Sequence, residues 1–140
     1  MNLPEQNLTV LHAEDSDDDA FFFERALAGA NIAAQLVRLT NGSAAIECLE
    51  RLSAESKDLS QTHVLFLDLK MPGLTGFEVL QWIRDRELLI EVFVLSGSDL
   101  EADVAAARAL GASDYFVKPI STRELGRLLA RTEQAGISRP

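Results

Sequence analysis

The sequence predicts an α/β fold in which a parallel sheet, buried on both faces, is wound with helices on each side. Three observations predict it. Apolar runs without alternation, of which Val64-Leu65-Phe66-Leu67 is the clearest, read as strands covered on both faces. Segments of helical periodicity lie between them, making five strand–helix units with short links, the pattern of a doubly wound sheet with right-handed crossovers. The strand runs also end on polar residues, at the edge where open α/β sheets build their sites.

The first strand is Leu8-Thr9-Val10-Leu11-His12-Ala13, followed by the acids Glu14 and Asp15. A helix is expected over 17–29, with Ser16 and Asp19 at capping-box spacing. Its core face is best fitted by Ala20, Phe23, Ala26, Leu27 and Ala30. Phe22 then lies at the edge of that face, and Phe21 projects away among Asp17, Asp18, Glu24 and Arg25. Asn41-Gly42 turns the chain into a second helix, 43–52, with Cys48 on its apolar stripe. Residues 53–63 are polar and irregular.

The run 64–67 delivers Asp68, and Pro72-Gly73 turns the chain soon afterwards. A third helix is expected over 77–88. Val92-Phe93-Val94-Leu95 ends in Ser96-Gly97-Ser98, and a fourth helix follows over 99–110, with Ser98 and Glu101 at capping spacing. That helix is rich in alanine (102, 105, 106, 107 and 109), buries little area and so shifts cheaply. Tyr115-Phe116-Val117 ends in Lys118-Pro119. A fifth helix, 122–131, starts with Ser121 and Glu124 at capping spacing.

Length and composition bound the functions available. At 140 residues the chain fits one domain, with a core over about 8–131 and no output module. No apolar run approaches the ~18 residues of a membrane span, and Met1 to Gln6 holds no signal-peptide pattern. The expected setting is cytoplasmic, with no membrane partner. The lone Cys48 excludes an internal disulfide and reads as a buried bystander. A net charge of −9 argues against nucleic-acid binding.

Taken singly, each polar strand end has an ordinary explanation. Asp68 alone is a turn-capping acid, Glu14-Asp15 a pair favoured by a helix dipole, Ser96 a turn hydroxyl and Lys118 a surface amine. His12 reads as an interior histidine satisfied by its neighbours, and Tyr115 as a half-buried strand aromatic. If the strands are parallel and adjacent, however, two acids, one acid, one hydroxyl and one amine converge on one rim. Glu14, Asp15 and Asp68 then form an oxygen-rich pocket suited to a hard cation such as Mg²⁺.

Those residues carry a resemblance. Ala13-Glu14-Asp15, Leu67-Asp68-Leu69-Lys70-Met71-Pro72-Gly73 with Gly76-Phe77, Val94-Leu95-Ser96 and Gly111 to Pro119 resemble the receiver domain of two-component response regulators, over nearly the whole chain. The resemblance implies a flavodoxin-like, five-stranded sheet in the order 2-1-3-4-5. It implies that Asp68 accepts a phosphoryl group, that Asp15 and Asp68 bind Mg²⁺ directly, that the Lys70 main-chain carbonyl adds a ligand, and that Glu14 acts through water. Ser96 and Lys118 would hold the phosphoryl oxygens, Tyr115 would turn inward on switching, and the bond before Pro119 would be cis.

The implied function is a stand-alone response regulator that catalyses only its own phosphorylation and dephosphorylation. Its partners would be a sensor histidine kinase or a histidine phosphotransfer protein, and a downstream protein. The region before the third strand and the stand-alone form resemble regulators that partner bacterial phytochrome kinases. Phe21 would contribute to kinase docking or to a homodimer. The alternatives are a phosphorelay intermediate, a phosphorylation-independent interaction domain, and an Asp-nucleophile hydrolase. The last wants a second acid two residues after the first, where Lys70 stands. Ser96 replaces the more usual Thr of the family, and Gly97 a frequent Ala.

Overall fold

A computed structural model describes residues 8–137, and the side chains of residues 8–131. Five strands, β1 (Thr9–Ala13), β2 (Gln35–Leu39), β3 (His63–Leu67), β4 (Glu91–Ser96) and β5 (Asp114–Val117), form one sheet in the order β2-β1-β3-β4-β5. Every pairing is parallel. The helices are α1 (Asp17–Gly29), α2 (Gly42–Ser53), α3 (Gly76–Asp85), α4 (Glu101–Ala109) and α5 (Thr122–Ile137).

Alternate strand residues feed two cores, as the pleat dictates. Leu11, Ala13, Leu65, Leu67, Val92 and Val94 pack with the buried residues of α2, α3 and α4. Val10, Val64, Phe66, Phe93 and Leu95 pack with Phe23 and Leu27 of α1 and Leu125, Leu128 and Leu129 of α5. On this second face the rings of His12, Phe23, Phe66, Phe93 and Phe116 follow one another at centroid distances of 4.0, 5.0, 5.4 and 6.2 Å. His12 faces Phe66, and Phe66 faces Phe93, in strand register.

One edge strand and several helix ends differ from the sequence reading. The reading assigned no residues to β2. As an edge strand its burial alternates, and only Leu39 is fully covered, so it lacks the apolar run that marks β3 and β4. α2 starts at Gly42 because Asn41 is its cap, accepting from the Ala44 N–H at 2.8 Å. α3 starts one residue early on a complete capping box between Thr75 and Glu78. It ends at Asp85, short of 88, because Glu87 takes a left-handed φ of 54° that breaks the helix without the usual Gly or Asn signal. α4 spans 101–109, not 99–110. Leu100 is its cap, with no side-chain bond, so Ser98 is not the cap. α5 runs past 131 to Ile137. The segment after α2 is pinned down: Leu59 donates to Leu89 O, Leu89 donates to Lys57 O, and Asp58 and Leu89 form a parallel bridge.

Candidate phosphoryl-acceptor site

Parallel pairing puts the C-terminal ends of β1, β3 and β4, and the residue after β5, on one rim. The Asp68 N–H donates to Ala13 O at 3.1 Å, and the Lys118 N–H to Ser96 O at 2.8 Å, which ties the rim together. Gly76 lets α3 start against Asp68's own backbone. A Cβ there would overlap the Asp68 carbonyl oxygen and lie 2.8 Å from Leu69 Cα.

Asp68 is buried, with Oδ1 accepting the Lys70 N–H at 3.3 Å and Oδ2 3.3 Å from Lys118 Nζ. Glu14 is 1 % exposed, and its Oε2 accepts the Ser16 N–H at 3.1 Å. Its Oε1 forms an ion pair with Lys118 Nζ at 2.7 Å, but the contact is not aligned as a directed hydrogen bond, so Oε1 is left without one. Asp15 is exposed beside them. Glu14, Asp15 and Asp68 can each offer a carboxylate oxygen, all within 4.8 Å of one another. A buried oxygen without a directed bond, in a cluster of hard oxygen donors, fits a divalent cation such as Mg²⁺.

Lys118 meets three carboxylates: Glu14, Asp68 and, at 2.8 Å, Asp19. Burial alone would lower its pKa. The bond with Asp19, the close pairing with Glu14 and the charge of Asp68 outweigh that and raise it, so the amine is held as an ammonium. Burial pushes the Glu14 carboxyl up, opposed by Lys118 and the Ser16 N–H. His12 is pushed down to about 3 by burial, then by the Lys118 and Arg38 charges, and so stays neutral.

Ser96 is fully buried, and its Oγ accepts the Ser98 N–H at 3.3 Å. Tyr115 points inward, 9 % exposed, and its hydroxyl donates to Ser98 O at 2.7 Å. Ser98 Oγ donates to Asp103 Oδ2 at 2.7 Å, and Lys70 Nζ lies 3.9 Å from the same oxygen. The Lys118–Pro119 bond is cis. Phe21 is 52 % exposed, and so is Phe22, at 54 %, although the helical wheel put Phe22 at the edge of the core face.

Two residues escaped the sequence reading. Asp19 reads as a solvated first-turn acid, yet it reaches Lys118, 99 residues away. Arg38 of β2 donates from Nε to Glu14 O at 3.0 Å and pairs with Asp17 at 2.8 Å, so it braces the acidic turn. Without a placed β2, nothing in the sequence could bring Arg38 there.

The fold and site define a class. Residues 10–130 match the response regulator receiver domain, and the chain belongs to that family. The DNA-binding transcriptional regulator NtrC of Escherichia coli K12 is 36 % identical over 119 residues, which cover 82 % of this chain and 23 % of that protein. The chain thus spans about a quarter of that relative's length. The signal receiver domain of a LuxO repressor protein from Vibrio parahaemolyticus superposes with a TM-score of 0.78 at 23 % identity, covering 94 % of both chains. The bacteriophytochrome response regulator AtBRR superposes at 0.73 with 27 % identity, covering 89 % of this chain and 91 % of its own.

Proposed function

We propose that this receiver domain accepts a phosphoryl group from a phosphohistidine onto Asp68 and signals by a change of its own surface. The observation that carries the reading is the convergence on buried Asp68 of an oxygen cluster and an ammonium. A carboxylate oxygen of Asp68 attacks phosphorus, the P–N bond breaks, and the imidazole leaves with the electron pair. The product is an acyl phosphate.

Attack of an anion on an anion needs neutralised charge and in-line positioning. Asp15, Asp68 and the Lys70 carbonyl would hold Mg²⁺, with Glu14 acting through water, and the bound ion would neutralise phosphoryl charge. Lys118 supplies the fixed positive charge. The Ser96 hydroxyl would donate its proton to a phosphoryl oxygen while its oxygen accepts the Ser98 N–H, and Ser98 O accepts the Tyr115 hydroxyl, which links the site to the β4–α4 loop and to Tyr115.

The domain acts as one regulatory unit in the cytoplasm. It catalyses only its own phosphoryl turnover. The partner is a sensor histidine kinase or a phosphotransfer protein. The likeness to AtBRR supports a phytochrome kinase as the donor. The aromatic pair Phe21 and Phe22 on α1, next to the site, supports docking there or contact with a second copy.

The test is labelling with acetyl phosphate and Mg²⁺. Asp68→Asn abolishes it while the fold persists. Labelling that survives the substitution refutes the assignment, and a wild-type protein that takes no label revives the phosphorylation-independent reading.

A further inference from the structure

Among the described residues, Asp19 is the one carboxylate touching Lys118 that lies outside the candidate metal set. Lys118 pairs with three carboxylates: Glu14 after β1, Asp68 after β3 and Asp19 in the first turn of α1, with hydrogen bonds to the last two. Glu14 and Asp68 belong to the group that could hold a cation, together with Asp15. A cation there would neutralise charge on two of the three anions that hold the lysine. Asp19 keeps its charge and its grip.

The local chain frees Asp19 for this contact. Ser16 caps α1 by accepting the Asp19 N–H at 3.2 Å. In a complete capping box the third residue would reach back to the cap's N–H. Here Glu14 Oε2 already takes the Ser16 N–H. Asp19's side chain turns instead to Lys118, and the two line a cleft together with Glu14, Phe22, Phe23, Leu95, Pro119 and Ile120. Apolar walls strengthen a charge pair relative to open solvent.

We infer that Asp19 is a positioning residue that holds Lys118 in the resting state and competes with the phosphoryl group on Asp68 for it. The inference rests on the phosphoacceptor reading above. Phosphoryl capture of Lys118 then requires breaking the Asp19 pair, so Asp19 sets how readily the domain switches.

Titration with beryllofluoride at saturating Mg²⁺, followed by the amide resonances of Ser96 and Ser98, tests it. Asp19→Asn should bind the mimic about threefold more tightly, the scale of one partly exposed ion pair. Asp19→Glu, which keeps the charge, should restore wild-type affinity. Asp18→Asn removes the same charge from an exposed neighbour and should leave affinity unchanged. In a Lys118→Ala background the Asp19→Asn gain should vanish. In the metal-free protein, the Lys118 side-chain nitrogen resonance should move in Asp19→Asn and not in Asp18→Asn.

The inference falls if Asp19→Asn matches wild type or Asp18→Asn, or if its gain survives without Lys118. Wild-type protein that binds no beryllofluoride is a different failure: it removes the phosphoacceptor reading, and this inference with it.

Discussion

At the residue scale the site is governed by charges that close neighbours hold in place. Lys118 is gripped by three acids, and the acid turn itself is braced by Arg38 from β2. Close approach matters as much as charge. Gly76 brings α3 onto the Asp68 backbone, where a methyl group would strike fixed main-chain atoms. Gly76→Ala is therefore expected to destabilise the fold by about 1–3 kcal/mol, the usual cost of forcing atoms into a packed site, and to shift the Asp68 amide resonance. Urea denaturation and an amide spectrum identical to wild type would show that the contact yields freely. Of these features, Asp68, Ser96 and Lys118 were legible in the sequence because each ends an apolar run. Asp19 was not, because three consecutive acids at a helix start look alike until the chain folds.

At the element scale the strands read clearly where both faces are buried. β3 and β4 carry unbroken apolar runs, whereas His12 interrupts β1 and Arg38 interrupts β2 at the edge. Helix starts with side-chain caps were visible, as at Ser121, whose hydroxyl accepts the Glu124 N–H at 3.0 Å. The end of α3 was not, since Glu87 adopts a conformation its side chain does not advertise. α1 divides its three phenylalanines: Phe23 packs on Phe66, while Phe21 and Phe22 stack edge to face on the surface at 5.8 Å. Arg25 lies over Phe21, also at 5.8 Å. An exposed aromatic beside the proposed phosphoryl site suits a docking hot spot. Phe21→Ala is expected to slow phosphotransfer from the cognate kinase about tenfold, a loss typical of such a residue, and to spare labelling by acetyl phosphate. Stopped-flow phosphotransfer with unchanged rates, together with an unchanged oligomeric state, would remove α1 from the docking surface.

At the scale of the whole molecule, two cores on one sheet leave little room for buried charge outside the site rim. His63, at the start of β3 and away from the rim, is partly buried, and burial lowers its pKa from the ordinary 6.5. The unfolded chain then binds more protons than the native one below that value, so stability is complete above it and falls as pH drops. Urea midpoints between pH 7.5 and 5.5 should decline in wild type and decline less in His63→Gln. Parallel slopes would mean that His63 titrates alike in both states. No helix among the described residues is long and apolar enough to cross a membrane. The sequence by itself determined the α/β class, the five strand–helix units and the polar residues at the strand ends, because apolar runs and cap spacings are local patterns. Only the tertiary structure decided which acid holds Lys118, that Arg38 braces the acidic turn and how far Tyr115 turns inward. Those contacts join residues far apart in the chain, and parallel pairing and helix packing have to bring them together before their charges can act on one another.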